Sequence, residues 1–181
     1  MYLFCADDNP IQLKRASELL ELMCKEKNID NYEIVEFQNG AELLEKAAVI
    51  TPSVILLDIN MPVLDGLSTL VKLRSSNSKA KIIMVSSEDS NVVKRFAKGG
   101  RTEIDDSKKT ELFNKVVERV RKNKEEEGKI NSVLDACGNL GLDPVQVAKD
   151  LGADEYILKP YEAEEACKVL LKHVTASTLL S

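Results

Sequence analysis

The sequence is poor in the residues that build metal clusters and covalent frameworks. It has one histidine and four cysteines, and Cys5, Cys24, Cys137 and Cys167 stand far apart with no C-x-x-C pair. That spacing excludes a zinc-type ligand set and a disulfide scaffold, so reduced thiols in a cytoplasmic protein are the expectation. No apolar run approaches the roughly 18 residues that a membrane span needs. Residues 1–6 carry no basic region and run straight into Asp7 and Asp8, so they do not read as a signal peptide. Positive charge is not in excess either: 25 basic residues face 30 acidic ones, a formal net charge of -5, with the signs interspersed. Such a chain offers no electrostatic footprint for nucleic acid or an anionic membrane. Internal repeats with a period of about 20–50 residues are also missing, which excludes solenoids and propellers.

What is present is a regular alternation. Apolar runs at Tyr2–Ala6, Glu33–Phe37, 53–57, 81–85 and 155–158 read as strands separated by helical patterns, the signature of βαβ units around a parallel sheet. Val54-Ile55-Leu56-Leu57 and Ile82-Ile83-Met84-Val85 are continuously apolar, as expected of strands covered on both faces. Ile11, Leu13, Leu19, Leu20, Leu22 and Met23 form a helical stripe over 11–24, and shorter stripes follow at 41–48 and 67–73. The stretch 161–173 closes the pattern with Ala166, Val169 and Leu170. Turn signals stand at Asn39-Gly40, Asp65-Gly66 and Gly99-Gly100.

One connection is too long. A crossover of one helix and two loops needs about 20 to 25 residues, yet about 70 separate Ser86 from Lys159, a surplus of roughly 50. The surplus is patterned. Leu112, Phe113, Val116, Val117 and Val120 recur at helical spacing, and the Glu111/Lys115 and Glu118/Lys122 pairs support that helix. A second short apolar pattern follows over 130–137. The expected organisation is a sheet domain formed by 1–100 and 152–181, with a helical hairpin inserted at 101–151 and docked on that domain or on another chain. The stretch 143–152 superficially resembles the start of a helix-turn-helix, but no second basic helix follows. It reads instead as the end of the helix entering the fifth strand, although 91–100 also suits that fourth helix by its distance from Ser86.

Open parallel sheets bind ligands outside the carboxyl ends of their strands. Asp7 and Asp8 follow the first strand, Asp58 the third, Ser86 the fourth and Lys159 the fifth. Three carboxylates converging in one cleft repel each other unless a cation sits among them. Mg²⁺ suits such oxygen ligands, and its charge would neutralise an incoming phosphoryl group. Lys159 would add a second positive charge and Ser86 a hydroxyl donor, the division of labour expected for phosphoryl transfer. An aspartyl carboxylate is a competent nucleophile for it.

The string Val54-Ile55-Leu56-Leu57-Asp58-Ile59-Asn60-Met61-Pro62, followed by Asp65-Gly66, resembles the phosphoacceptor segment of response-regulator receivers. Ala6-Asp7-Asp8-Asn9, Met84-Val85-Ser86-Ser87 and Tyr156-Ile157-Leu158-Lys159-Pro160-Tyr161 resemble the family's first, fourth and fifth strand ends. The likeness covers 1–98 and about 152–174 and is nearest to single-domain regulators of the chemotaxis type. It implies a flavodoxin-like, doubly wound α/β fold with a five-stranded parallel sheet in the order 2-1-3-4-5. It also implies roles. Asp58 would accept a phosphoryl group from a histidine kinase or phosphotransfer protein. Asp7, Asp8, Asp58 and the backbone carbonyl of Asn60 would hold Mg²⁺. Lys159 would pair with phosphoryl oxygens, and Ser86 and Tyr156 would switch together. Asn60 and Glu88 would tune autodephosphorylation toward a short-lived phosphoryl state.

Plainer readings stand beside these. Asp7-Asp8 alone would serve as a helix cap and first-turn acid, and Lys159-Pro160 as a loop before a helix. Ser87 competes with Ser86 as the hydroxyl, and Tyr156 would do equally well as a half-buried strand tyrosine. A phosphatase of the haloacid-dehalogenase kind would need a D-x-D nucleophile motif after an early strand, whereas position 60 is Asn. A third alternative is a receiver-fold interaction module acting without phosphorylation. Downstream, the expectation is a signalling switch that acts through protein contact. Whether it is a complete single-domain regulator or part of a longer protein stays open. The insertion would cap or replace the face formed by helix four, strand five and helix five, altering partner choice or self-association.

Overall fold

A computed structural model describes residues 1–87, 105–124 and 129–174. Five strands, β1 (Tyr2–Ala6), β2 (Glu33–Phe37), β3 (Val54–Asp58), β4 (Lys81–Ser87) and β5 (Glu155–Lys159), form one sheet in the order β2-β1-β3-β4-β5. Every neighbouring pair is parallel. This is the flavodoxin-like arrangement that the resemblance implied, built on the parallel sheet expected from the alternation. Among the described residues seven helices surround it: α1 (Pro10–Glu26), α2 (Gly40–Ala47), α3 (Gly66–Ser75), α4 (Asp106–Arg121), α5 (Val133–Leu140), α6 (Pro144–Asp150) and α7 (Ala163–His173). None of the described helices is long and apolar enough to cross a membrane.

Strand side chains alternate between two cores, as the pleat requires. Leu3, Cys5, Val54, Leu56, Ile83, Val85 and Ile157 face α1 and α7. Phe4, Ala6, Ile55, Leu57, Ile82 and Met84 face the layer of α2 through α6. Phe4 meets Phe37 edge-on, with ring centroids 4.9 Å apart. Burying each large aliphatic side chain in these layers contributes about 1.5–3 kcal/mol, so both faces of the sheet are committed. All four cysteines are buried free thiols, and burial pushes Cys5 and Cys137 up to about 12. They act here as small core residues.

Two dipeptides that read as turns are helix starts. Asn39 and Asp65 cap α2 and α3, their side chains accepting from the Glu42 and Ser68 N–H groups. The glycine after each cap is required by packing. A Cβ on Gly40 would lie 1.8 Å from Thr69 Oγ1, and one on Gly66 would lie 2.0 Å from the Asp58 carbonyl oxygen. The third signal, Gly99-Gly100, and the candidate helix 91–100 lie outside the described residues.

The long β4–β5 connection forms three helices among its described residues. Val116, Val117 and Val120 of α4, Val133, Leu134, Ala136 and Cys137 of α5, and Val147 and Ala148 of α6 belong to the same core as α3. α5 ends on Gly141 in the left-handed conformation, which interrupts the helix, and Asp143 then caps α6. Thus 143–152 holds a separate short helix before β5, divided from its predecessor by local chemistry.

Candidate functional site

Parallel pairing brings the carboxyl ends of β1, β3, β4 and β5 to one edge. There, Asp7, Asp8, Asn9, Gln12, Asp58, Asn60, Ser86, Ser87, Lys159 and Pro160 line a cleft of about 350 Å³. Asp7, Asp58 and Lys159 are 4%, 6% and 8% exposed. The Lys159 ammonium donates to a carboxylate oxygen of Asp7 and, at 2.6 Å, to Asp58 Oδ1. Asp58 Oδ2 accepts the Asn60 N–H at 2.7 Å, and Asp7 Oδ1 accepts the Asn9 N–H at 2.9 Å. Asn9 itself caps α1, its side chain accepting from the Ile11 and Gln12 N–H groups. Asp7 is therefore not the helix cap; it is aimed at the cleft.

Burial pushes the Asp58 carboxyl up to about 6, against the opposing pull of Lys159 and the Asn60 N–H. For Lys159, burial works against the charged form, but the Asp58 and Asp7 carboxylates outweigh it and hold the ammonium above its ordinary value. One ammonium thus serves two buried carboxylates, and a third lies beside them. Asp7, Asp8 and Asp58 each offer an oxygen, and those oxygens lie within 4.8 Å of one another. The set is hard, all-oxygen and negative in sum, and Asp8 is exposed to solvent. Those properties fit Mg²⁺, which prefers oxygen donors and retains waters.

The family model described as the response regulator receiver domain matches residues 3–107. The chain belongs to the response regulator receiver domain family. Among curated relatives, the protein-glutamate methylesterase/protein-glutamine glutaminase of Pseudoalteromonas translucida is 39% identical over 82 residues, which is 45% of this chain and 19% of that protein. The chemotaxis protein CheY of Listeria monocytogenes is 34% identical over 77 residues, 41% of this chain and 65% of that protein. The matches therefore span less than two thirds of either relative's length. A receiver domain protein from Clostridium thermocellum superposes with a TM-score of 0.58 at 15% identity, covering 99% of this chain and 98% of that one. Chemotaxis protein CheY4 of Vibrio cholerae gives a TM-score of 0.55 at 20% identity, with 96% and 98% covered. At such identities the likeness is one of fold.

Of the remaining candidates, Ser86 and Asn60 line this cleft. Ser86 is part-buried and lies within β4 rather than beyond it, its hydroxyl 3.4 Å from the Ser87 carbonyl. Tyr156 is half-buried on β5. Burial raises its phenol, and a side-chain hydrogen bond with Ser86 opposes that shift. The two residues expected to switch together stand on the neighbouring strands β4 and β5. Asn60 lines the cleft, while Glu88 lies outside the described residues. The sequence marked Asp65-Gly66 as a turn and as the end of the segment resembling a phosphoacceptor motif, but not as a packing site. Gly66 donates its N–H to the Ile59 carbonyl at 2.9 Å and packs on the Asp58 backbone, fixing where Asp58 stands. The packing partner of that glycine comes from the tertiary structure.

Proposed function

We propose that this receiver is a Mg²⁺-dependent phosphoacceptor switch of a two-component system, with Asp58 as the acceptor. The observation that carries the proposal is the shared ammonium: Lys159 contacts both Asp7 and Asp58 in a cleft where carboxylates outnumber cations. Asp7, Asp8, Asp58 and the Asn60 carbonyl would hold Mg²⁺, which when bound supplies the charge that lets carboxylates and a phosphoryl group share one cleft.

A carboxylate oxygen of Asp58 attacks phosphorus while the bond from phosphorus to a histidine nitrogen of the donor breaks, and the imidazole leaves with the electron pair. Asp58 must be ionised to do this: burial raises its carboxyl to about 6 in the metal-free cleft, and a bound cation would favour the ionised form. Lys159 turns from the carboxylates to an equatorial phosphoryl oxygen, stabilising charge at the point of transfer. Ser86 donates its hydroxyl to another, and Tyr156, on the neighbouring strand, follows that movement. The donor is a histidine kinase or phosphotransfer protein, and the readout is a protein target contacted differently by the two states. Asn60, with Glu88, keeps the phosphoryl state short-lived. The buried thiols suit a cytoplasmic setting. The segment 101–151 is an insertion that modifies partner choice or self-association.

The test is intact-mass measurement after incubation with acetyl phosphate and Mg²⁺, beside a metal-free sample and the Asp58→Asn variant. One phosphoryl group should be gained by the wild type alone and only with metal. A folded protein that gains none, from acetyl phosphate or from a phosphohistidine donor, overturns the proposal.

A further inference from the structure

Asp65 is a buried carboxylate that the proposed phosphoryl chemistry does not use. Its Oδ1 accepts the Ser68 N–H at 2.8 Å, and its Oδ2 accepts the Ser68 hydroxyl at 2.6 Å and the Ser132 hydroxyl at 2.9 Å. Burial raises its pKa, and the Ser68 and Ser132 hydrogen bonds counter that rise. Hydroxyls and a backbone amide thus do the work a cation would otherwise do. Ser132 belongs to the long β4–β5 connection and caps α5, accepting the Asp135 N–H at 3.1 Å. The next residue, Val133, donates its N–H to the Ser68 hydroxyl at 2.9 Å. The starts of α3 and α5 are therefore locked together by a closed polar network inside an apolar layer, where each bond is strengthened by the low dielectric.

The network adjoins the cleft through the backbone. Asp65 ends the loop 59–65, and Gly66 follows, bonded to Ile59 and packed on the Asp58 carbonyl. At the other end of that loop the Asn60 N–H holds Asp58 Oδ2 at 2.7 Å. We infer that Ser132 is a positioning residue for the acceptor cleft, acting through Asp65 to hold the 59–65 loop and hence the Asn60 backbone. The β4–β5 connection thereby contributes to the geometry of the cleft from outside it. This inference rests on the proposed reading of the cleft only where metal binding is concerned.

Ser132→Ala removes the hydroxyl, Ser132→Gly removes it while retaining a residue tolerated at a helix cap, and Ser132→Thr keeps it. Residue-resolved amide hydrogen exchange reads the loop directly. In the Ala and Gly variants the Asn60 and Gly66 amides should exchange about tenfold faster, the loss expected for one hydrogen bond to a buried carboxylate. Leu19 and Leu20 in α1 should be unchanged, and Ser132→Thr should match the wild type. The Mg²⁺ concentration for half-saturation, followed by the same amides, should rise several-fold in Ala and Gly and not in Thr. Unchanged exchange at Asn60 and Gly66, or an equal acceleration in α1, overturns the inference. If no variant and not the wild type responds to Mg²⁺, the phosphoacceptor reading fails, and the exchange result alone decides the role of Ser132.

Discussion

The two ends of the sheet handle charge in opposite ways. At the carboxyl edge, Lys159 is divided between Asp7 and Asp58 with Asp8 nearby, so negative charge is in excess. At the opposite edge a single carboxylate, Asp154, is served by two cations: Arg74 at 2.7 Å and Lys81 at 2.8 Å, with the Ile82 N–H adding a third bond at 2.9 Å. Arg74 also donates to the carbonyls of Gly152, Ser78 and Ala80, tying α3 to the start of β5. The titration shifts follow the charge balance. Burial raises both carboxyls, but at Asp154 the Lys81, Ile82 and Arg74 contacts outweigh it and leave the group lowered, while Asp58 is left raised at about 6. The Asp154 cluster is complete as it stands and works as a clip. The Asp58 cluster is electrostatically unfinished, as the proposed uptake of a cation and then a phosphoryl group requires.

The sharpest way to break this comparison is Lys159→Ala. It strands two buried carboxylates without a cation, and loss of one partner from a buried pair costs about 3–5 kcal/mol. Urea unfolding at pH 7.5 without divalent ions should show that loss, and millimolar Mg²⁺ should restore more stability to the variant than it adds to the wild type. A variant as stable as the wild type would mean that the cleft carries no charge excess.

The next effect is one of pH. The raised Asp58 carboxyl binds its proton more tightly in the folded than in the unfolded chain, so its contribution to stability falls as pH rises from about 4 to about 6. Asp58→Asn removes that dependence. Between pH 4 and pH 7 without Mg²⁺, the variant should gain up to about 3 kcal/mol on the wild type in denaturant unfolding. A gap that stays constant across this range would contradict the raised pKa.

The smallest effect belongs to the clip. Asp154→Ala should cost about 2 kcal/mol at pH 7, since it removes three bonds to a part-buried carboxylate and leaves Arg74 and Lys81 able to reach water. Its sign is opposite to that of Asp58: the stabilisation is present above the unfolded carboxyl range and lost as pH falls through the lowered pKa of Asp154. Phosphoryl uptake by this variant should equal that of the wild type. A matching loss of uptake would show that the two ends are coupled.

Much of this was legible along the chain. Asp7, Asp8, Asp58 and Lys159 stood out because each follows an apolar run, and parallel strands deliver the residues at their ends to one edge. The helical pattern of α4 was readable in Val116, Val117 and Val120, but the surface that covers them was not, because a stripe specifies burial without specifying a partner. Asn39-Gly40 and Asp65-Gly66 looked like turns for a related reason. A cap and a glycine suit either structure, and only Thr69 and the Asp58 carbonyl, distant in sequence or separated by a loop, make the glycines necessary.

The sequence by itself determined the element order, the two-faced strands and the chemical types gathered at the carboxyl edge, since these depend on local periodicity and on the handed, parallel βαβ connection. Only the tertiary structure decided that one ammonium serves both Asp7 and Asp58, and that Asp65 leans on Ser132 instead of on a cation. Desolvation and long-range hydrogen bonding belong to the surroundings of a side chain, and those surroundings exist only once the chain has folded around it.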